Sequence, residues 1–423
     1  MNPKWHGLTW PANDYSRVPY GVFSNPEIYN EEQEHIFRGP VWINIALEAE
    51  IPNPGDYRTS YVGDTPIVAV RARDGAIHAF VNRCAHRGTL LVRDLAGNAE
   101  DFTCIYHHWC YDLEGNLIGV PFLRGLKGKG GMPKDFRMAE HGLKMLRVEC
   151  YQGAIFATFD KNAEDIQTYL GPDGVEFLNR LFHKPIKILG YLRQRIPSNW
   201  KLYIENLKDA NHAGLLHQMP VTFGLWRNTQ SGGSKLDALK RHEIHYGYID
   251  TDTEEDAEEG YDGVQSYNTT LTLNDTCIVD YVPEWGDDIS SQFLSMFPAS
   301  VFQQFANTIA TRQVRPRKPN EFELFWTIFG YADDDEEALR RRIMQNNLAG
   351  PAGVVSMEDG EAPHLVQKGV GNDPEGHSLI AYGGTGPIED QTTVITEVAV
   401  RGFWKYYCEL MRVPVAFQAQ AAE

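Results

Sequence analysis

Two short segments constrain this chain more than any others: RCAHRG at residues 83–88 and CIYHHW at residues 104–109. Each offers one Cys and one His, with Cys84 and His86 in the first and Cys104 and His107 in the second. Between His86 and Cys104 lie 17 residues, so whatever folds here must bring two loops together. The alternation suits a two-iron, two-sulfide cluster in which one iron takes both thiolates and the other both imidazoles. A structural zinc would accept the same four donors. With 14 His in 423 residues, two such pairs at a domain-compatible spacing are rare by chance. His108 and Cys110 read as neighbours of the ligands, and Trp109 is expected to pack over the centre and limit its exposure.

The remaining composition narrows the setting. Six Cys, at 84, 104, 110, 150, 277 and 408, are too sparse and irregular for a disulfide framework, which leaves reduced thiols. A formal net charge of −18 argues against a nucleic-acid or anionic-membrane partner. Residues 1–20 hold no basic stretch leading into an apolar run, and no later segment is apolar for about 18 residues, so a soluble cytoplasmic protein is expected.

At 423 residues, 42% hydrophobic, the chain has room for two or three domains. Apolar residues among Glu and Gln predict a helix over residues 25–37, before the Gly39-Pro40 break. Short β-rich runs at 58–62, 67–72, 77–82 and 153–159 follow, separated by Gly and Asp turns. Beyond them, helical patterns (163–170, 176–182, 199–217, 334–347, 395–411) mix with strand patterns (189–196, 269–273, 300–316, 321–330). The expected class is α+β, divided into an N-terminal helical segment (1–38), a small all-β domain (39–160) and an α+β domain (161–423). The acidic run DTDTEEDAEEGYD at 250–262 reads as a solvated loop, and GLKGKGGM at 125–132 as a mobile surface loop.

A second constellation lies in NWKLYIENLKDANHAGLLH, residues 199–217, which holds Asn206, Asp209, His212 and His217. Asp209 and His212 share a helix face, but His217 would lie about 140° round from His212, so the helix must end, bend or bulge between them. Two imidazoles plus one carboxylate form the ligand set of a non-haem Fe(II) site with open positions for dioxygen. In GPAGVVSMEDGE, residues 350–361, Glu358 and Asp359 are candidates for the carboxylate.

These motifs resemble the large (alpha) subunits of Rieske non-haem iron ring-hydroxylating oxygenases, which carry Cys-x-His, a spacer, Cys-x-x-His, and then Asn/Glu-x-x-Asp-x-x-His-x-x-x-x-His. The resemblance spans essentially the whole chain. It implies one Rieske [2Fe-2S] cluster on Cys84, His86, Cys104 and His107, and one mononuclear Fe(II) on His212, His217 and Asp359, with Glu358 an outward neighbour. It also implies a catalytic antiparallel sheet covered by helices, of the helix-grip type. Asp209 would bridge a Rieske His of one subunit and an iron-ligand His of the next, although it could equally serve only to orient His212. The resemblance further implies a head-to-tail trimer, with a small beta subunit (α3β3, otherwise α3) and electrons from NAD(P)H through a reductase or ferredoxin.

The segments GVPF at 119, GGMPKDF at 130, NWKLYIEN at 199, TFGLWR at 222 and GPAG at 350 are similar to those of the members acting on anthranilate, salicylate and terephthalate. A benzoate-like anion in an apolar pocket needs a paired cation, and Arg312 and Arg401 are the candidates, with Asn206 a further substrate contact. Val221, Phe223, Val301 and Val355 are expected as apolar wall. Anthranilate 1,2-dioxygenation to catechol leads, followed by salicylate 5-hydroxylation and terephthalate 1,2-dioxygenation. O-demethylation at the same two sites is a further enzymatic reading, and a Rieske electron carrier and a zinc-stabilised binding protein are the readings from other classes.

Overall fold

The computed structural model describes residues 4–11, 14–249 and 252–414. Near the N-terminus, strand β1 (Arg17–Pro19) pairs with residues 377–379, and helix α1 (Pro26–Glu32) follows. The sequence dictates where α1 starts: Asn25 Oδ1 accepts from Glu27 N at 2.8 Å, and Pro26 occupies the first turn, where no amide donor is needed. By contacts the chain divides into two units, Phe37–Ile166 and the pair Met1–Ile36 with Gln167–Glu423.

The Phe37–Ile166 unit is all-β, as expected. Its seven-stranded sheet uses β2 (Ile43–Leu47), β3 (Asp56–Val62), β4 (Thr65–Arg71), β5 (Ile77–Val81) and β6 (Ala96–Asn98). A three-stranded sheet holds β7 (Phe102–Thr103), β8 (Cys110–Tyr111) and β9 (Leu117–Gly119). The hairpin β10 (Met145–Tyr151) and β11 (Ala154–Thr158) completes the larger sheet, in the order β2-β11-β10-β5-β4-β3-β6. The core gathers Val68, Val70, Phe80, Phe102, Trp109 and Tyr111, so Cys84 and Cys104 are buried in the same cluster as the strands' apolar residues. Residues 125–131 form an exposed turn with positive φ at Gly125, Lys127, Gly128, Gly130 and Gly131.

In the other unit α2 (Ile166–Leu181) is broken at Gly171, φ 72°, ahead of Pro172, which matches two helical patterns rather than one. The sheet is antiparallel, built from β12 (Ile186–Ile196), β13 (Gly232–Leu236), β14 (Glu243–Tyr248), β15 (Ile289–Met296), β16 (Ser300–Phe305), β17 (Thr308–Lys318) and β18 (Glu321–Tyr331). Its order is β12-β18-β17-β16-β15-β14-β13. Between its strands run α3 (Trp200–Leu207), α4 (Ala210–Leu216), α5 (Gln218–Thr222) and α6 (Glu254–Gly260). The end of the chain adds α7 (Glu336–Ala349), α8 (Val354–Val370), β19 (His377–Leu379) and α9 (Val398–Leu410).

Four expectations are corrected. The single run 300–316 is a hairpin, because Ala306 at φ 47° turns the chain between β16 and β17. Residues 269–273 are turn and irregular backbone, not strand. The acidic run contains α6, since Thr253 and Asp256 form a reciprocal cap that starts a helix in spite of the like charges; residues 250 and 251 of that run lie outside the described residues. The 199–217 helix is two short helices: besides the expected break, which falls at His217 just before α5, there is a second one at Lys208–Asp209.

Candidate active site

The helix breaks place the metal donors. Asp209 caps α4, its Oδ1 accepting from Asn211 N at 3.0 Å and His212 N at 3.2 Å. His217, at φ −91° and ψ 87°, is the non-helical residue that ends α4 and precedes α5. The backbone thus turns where the five-residue spacing demands, and the His212 and His217 rings stand 5.4 Å apart at 75°. Asp359 comes from α8, whose close approach to β12 needs Gly360: a Cβ there would lie 2.8 Å from Gln194 Nε2. Ser356 Oγ donates to Gln194 Oε1 at 2.9 Å and holds the same contact.

His212 Nε2 and His217 Nε2 each lie 3.3 Å from Asp359 Oδ1, and donor atoms of the three residues fall within 4.8 Å of one another. Both Nδ1 atoms are engaged elsewhere. His212 Nδ1 bonds the Asp209 backbone carbonyl, and His217 Nδ1 bonds Glu358 Oε2 at 2.7 Å. The free Nε2 atoms therefore converge with the carboxylate on one point, which is what a two-His, one-carboxylate site for non-haem iron requires. Glu358 is not merely an outward neighbour but the partner that sets the His217 ring. Burial pushes the Asp359 carboxyl up, but the two imidazoles outweigh it and hold the group well below the usual carboxylate range. Burial disfavours the His217 imidazolium, and Asp359 and Glu358 outweigh that, raising its pKa to about 9.

A cavity adjoins these donors, and Asp209, His212, His217 and Asp359 line it together with Asn206 and Arg312. Phe293, Phe305, Trp226 and Val355 supply apolar wall; Val221, Phe223 and Val301 do not reach it. The Arg312 guanidinium is buried over Trp326, 4.3 Å from its ring centroid, and Nη1 donates to Tyr203 OH at 3.1 Å while Nε donates to Gln303 Oε1. Among the described residues its hydrogen-bond partners are all neutral. Arg401 is corrected: it is buried in α9 away from the cavity, its Nη1 donating to the Gly386 carbonyl at 2.8 Å.

In the β unit the two Cys-His loops are built alike. Gly88 N donates to Cys84 O at 3.0 Å and His108 N to Cys104 O at 2.9 Å, and both Gly88 (φ 76°) and His108 (φ 55°) are left-handed. Asn82 braces the first loop, its Oδ1 accepting from Leu91 N at 3.0 Å and Val92 N at 2.8 Å. Both thiols are buried and free of disulfides, His86 is exposed and His107 half-buried. The two rings are 4.5 Å apart, and Trp109 stacks on His86 at 4.8 Å and 9°. Tyr111 OH lies 3.3 Å from Cys84 Sγ and accepts from Ala85 N at 3.0 Å. Inner thiols and outer imidazoles fit a cluster whose two irons differ in ligand type.

Missed by sequence reasoning were Glu358 as a ring partner, the Gln303–Tyr203 setting of Arg312, and Glu243 with His245. The one available signal was polar residues recurring inside strands that otherwise read as apolar.

Comparison with known proteins agrees with this geometry. Residues 41–151 match the Rieske [2Fe-2S] domain model, and residues 182–412 the model for the catalytic domain of the ring hydroxylating alpha subunit. The anthranilate 1,2-dioxygenase large subunit of Burkholderia cepacia is 48% identical over 95% of both chains. Subunit alpha 2 of the terminal oxygenase component of terephthalate 1,2-dioxygenase from a Comamonas species is 42% identical over 96% of both. The large oxygenase component of salicylate 5-hydroxylase from a Ralstonia species is 42% identical over 95% of this chain and 96% of its own. In fold, naphthalene 1,2-dioxygenase from a Rhodococcus species, solved with indole bound, superposes with a TM-score of 0.76 at 22% identity, over 93% of this chain and 94% of that one. Among the described residues no helix is long and apolar enough to cross a membrane.

Proposed function

We infer that this chain, which belongs to the ring-hydroxylating oxygenase alpha subunits, acts on an aromatic carboxylate, with anthranilate as the lead substrate and catechol as the product. A Rieske [2Fe-2S] cluster and a mononuclear iron supply, when bound, the electron transfer and dioxygen activation that ring hydroxylation needs. Cys84 and Cys104 would hold one iron of the cluster and His86 and His107 the other, while His212, His217 and Asp359 hold the mononuclear iron.

The observation that carries the substrate reading is Arg312. A buried guanidinium hydrogen-bonded, among the described residues, to the neutral Gln303 and Tyr203 is a cation in want of an anion, and it lines the same cavity as the three iron donors. A ring carboxylate meeting Arg312 would be held by a planar fork, with the ring against Phe293 and Phe305. Asn206, whose buried Oδ1 has no hydrogen-bond partner among the described residues, would face the substrate beside it. Asp209 orients His212 through its backbone carbonyl and caps α4 through Oδ1, and its Oδ2, on a side chain 22% exposed, would bridge to a Rieske His of a neighbouring subunit in a head-to-tail trimer. A reductase or ferredoxin, and a small beta subunit, complete the assembly in this reading.

The test is turnover of the metal-loaded protein with NADH and a matched reductase, following product from anthranilate, salicylate and terephthalate. Catechol from anthranilate is expected. Gentisate from salicylate, or a dihydrodiol from terephthalate, with anthranilate untouched, would move the assignment to the corresponding relative. No oxidation of any of the three would sink the carboxylate reading.

A further inference from the structure

Once Arg312 is assigned to the carboxylate, a second polar corner of the cavity remains unexplained. Glu243 and His245 stand two residues apart on β14, so their side chains share one face of the sheet. Both are buried, Glu243 to 1% exposure and His245 to 8%. Glu243 Oε1 accepts from Ser234 Oγ at 2.7 Å. Its Oε2 faces His245 Nδ1 at 3.7 Å, and neither of these two atoms has a hydrogen-bond partner among the described residues. The His245 ring lines the cavity, stacked on Phe293 at 4.7 Å and 22° and edge-on to Trp226 at 5.8 Å. Buried polar atoms without partners are uncommon, and these two have each other as the nearest complement, so the pair orients the ring that lines the cavity and leaves its other nitrogen for a ligand.

A carboxylate beside Nδ1 favours the tautomer that carries its proton there, which leaves Nε2 as a hydrogen-bond acceptor on the opposite edge of the ring. We propose that His245, oriented by Glu243, recognises a second, hydrogen-bond-donating substituent, an amine or a hydroxyl, on the aromatic carboxylate held by Arg312. The proposal rests on the aromatic-carboxylate reading and narrows it. Benzoate would leave the corner unsatisfied. A second carboxylate would meet an acceptor nitrogen with the Glu243 charge behind it, so a dicarboxylate such as terephthalate is disfavoured.

Calorimetric titration of the metal-loaded protein with benzoate, anthranilate, salicylate and terephthalate tests this without turnover. Anthranilate or salicylate is expected to bind about tenfold more tightly than benzoate, the scale of one buried hydrogen bond. In His245→Phe that ratio should fall towards one. Glu243→Gln, which keeps the ring but removes the charge that sets its tautomer, should lower the ratio as well. A wild-type protein that binds benzoate or terephthalate as tightly as anthranilate and salicylate overturns the proposal even where a variant fails to fold, and so do folded variants that keep the full ratio. In those cases benzoate still binds and the carboxylate reading stands. Failure of all four acids to bind the wild type would overturn both.

Discussion

Glu358 Oε2 lies 2.7 Å from His217 Nδ1, one residue before the carboxylate that meets the same ring at Nε2. Neighbouring positions on α8 thus grip one imidazole from its two sides. The first sets the ring's tautomer and orientation and the second shares its metal. Glu358→Ala is therefore expected to weaken iron binding by about 10- to 100-fold, with Glu358→Gln partly restoring it. Iron retained after dialysis against a graded chelator series measures this directly. Unchanged retention in the alanine variant would remove Glu358 from the site.

Arg312 gives a prediction of a different kind. Arg312→Gln removes the cation but keeps a polar side chain, and a charge-assisted contact of about 1.5–3 kcal/mol is lost with it. The KM or Kd for an aromatic carboxylate should rise by roughly 10- to 100-fold, while the uncharged amide of the same acid is little affected. Arg401→Gln, by contrast, should act on thermal stability and not on substrate selectivity, because its Nη1 serves the Gly386 carbonyl. Equal losses with acid and amide would show that Arg312 is structural.

Tyr111 stands 3.3 Å from Cys84 Sγ. A hydroxyl donating to a cluster thiolate stabilises the more negative, reduced form, so Tyr111→Phe is expected to lower the reduction potential of the [2Fe-2S] centre. Potentiometric titration of the visible spectrum provides the readout. A potential that stays or rises would mean that the hydroxyl points its proton elsewhere.

Glu205 predicts a pH dependence of folding. Burial raises its carboxyl to about 8 from the ordinary 4.5, outweighing the Trp404 indole that donates to it at 2.6 Å. Between those values the folded chain keeps a proton that the unfolded chain releases. The associated stability is fully present below about pH 4.5 and is lost as pH rises towards 8, at up to about 1.4 kcal/mol per pH unit. Glu205→Gln should flatten the slope of unfolding free energy over that window and leave the protein more stable than wild type at pH 8. A wild-type slope retained in the variant would assign it to other groups.

Much of this was written locally. Cys84, His86, Cys104 and His107 are read from spacing alone, because each loop is a short hairpin-like turn whose residues cannot be far apart. The five-residue gap from His212 to His217 required a helix break, and Asp209, a good cap, stands at the start of α4. What was not legible depends on which strand or helix faces which. Arg312 sits in an alternating strand pattern and Arg401 in an amphipathic helix pattern, either of which could face a cavity, and only the β16–β17 register, which sets Arg312 against Val301 and two residues along from the Gln303–Ala310 pair, goes with a place in the cavity. Residues 269–273 alternate like a strand yet are turn and irregular backbone, since alternation alone does not supply a strand to pair with, and the acidic run hides a reciprocal cap that outweighs its charge pattern.

Seen as a polymer, His212 and Asp359 are 147 positions apart, and an ion shared between them is a cross-link that closes that whole length of chain. The cross-linked loop contains α5, α6, α7 and every strand from β13 to β18. Binding energy at one atom is then shared by most of the catalytic sheet, because a site absent from the unfolded chain returns its affinity as folding free energy. Iron in this protein is a fastener as well as a reagent, and amide exchange across β13–β18 should slow when it is added.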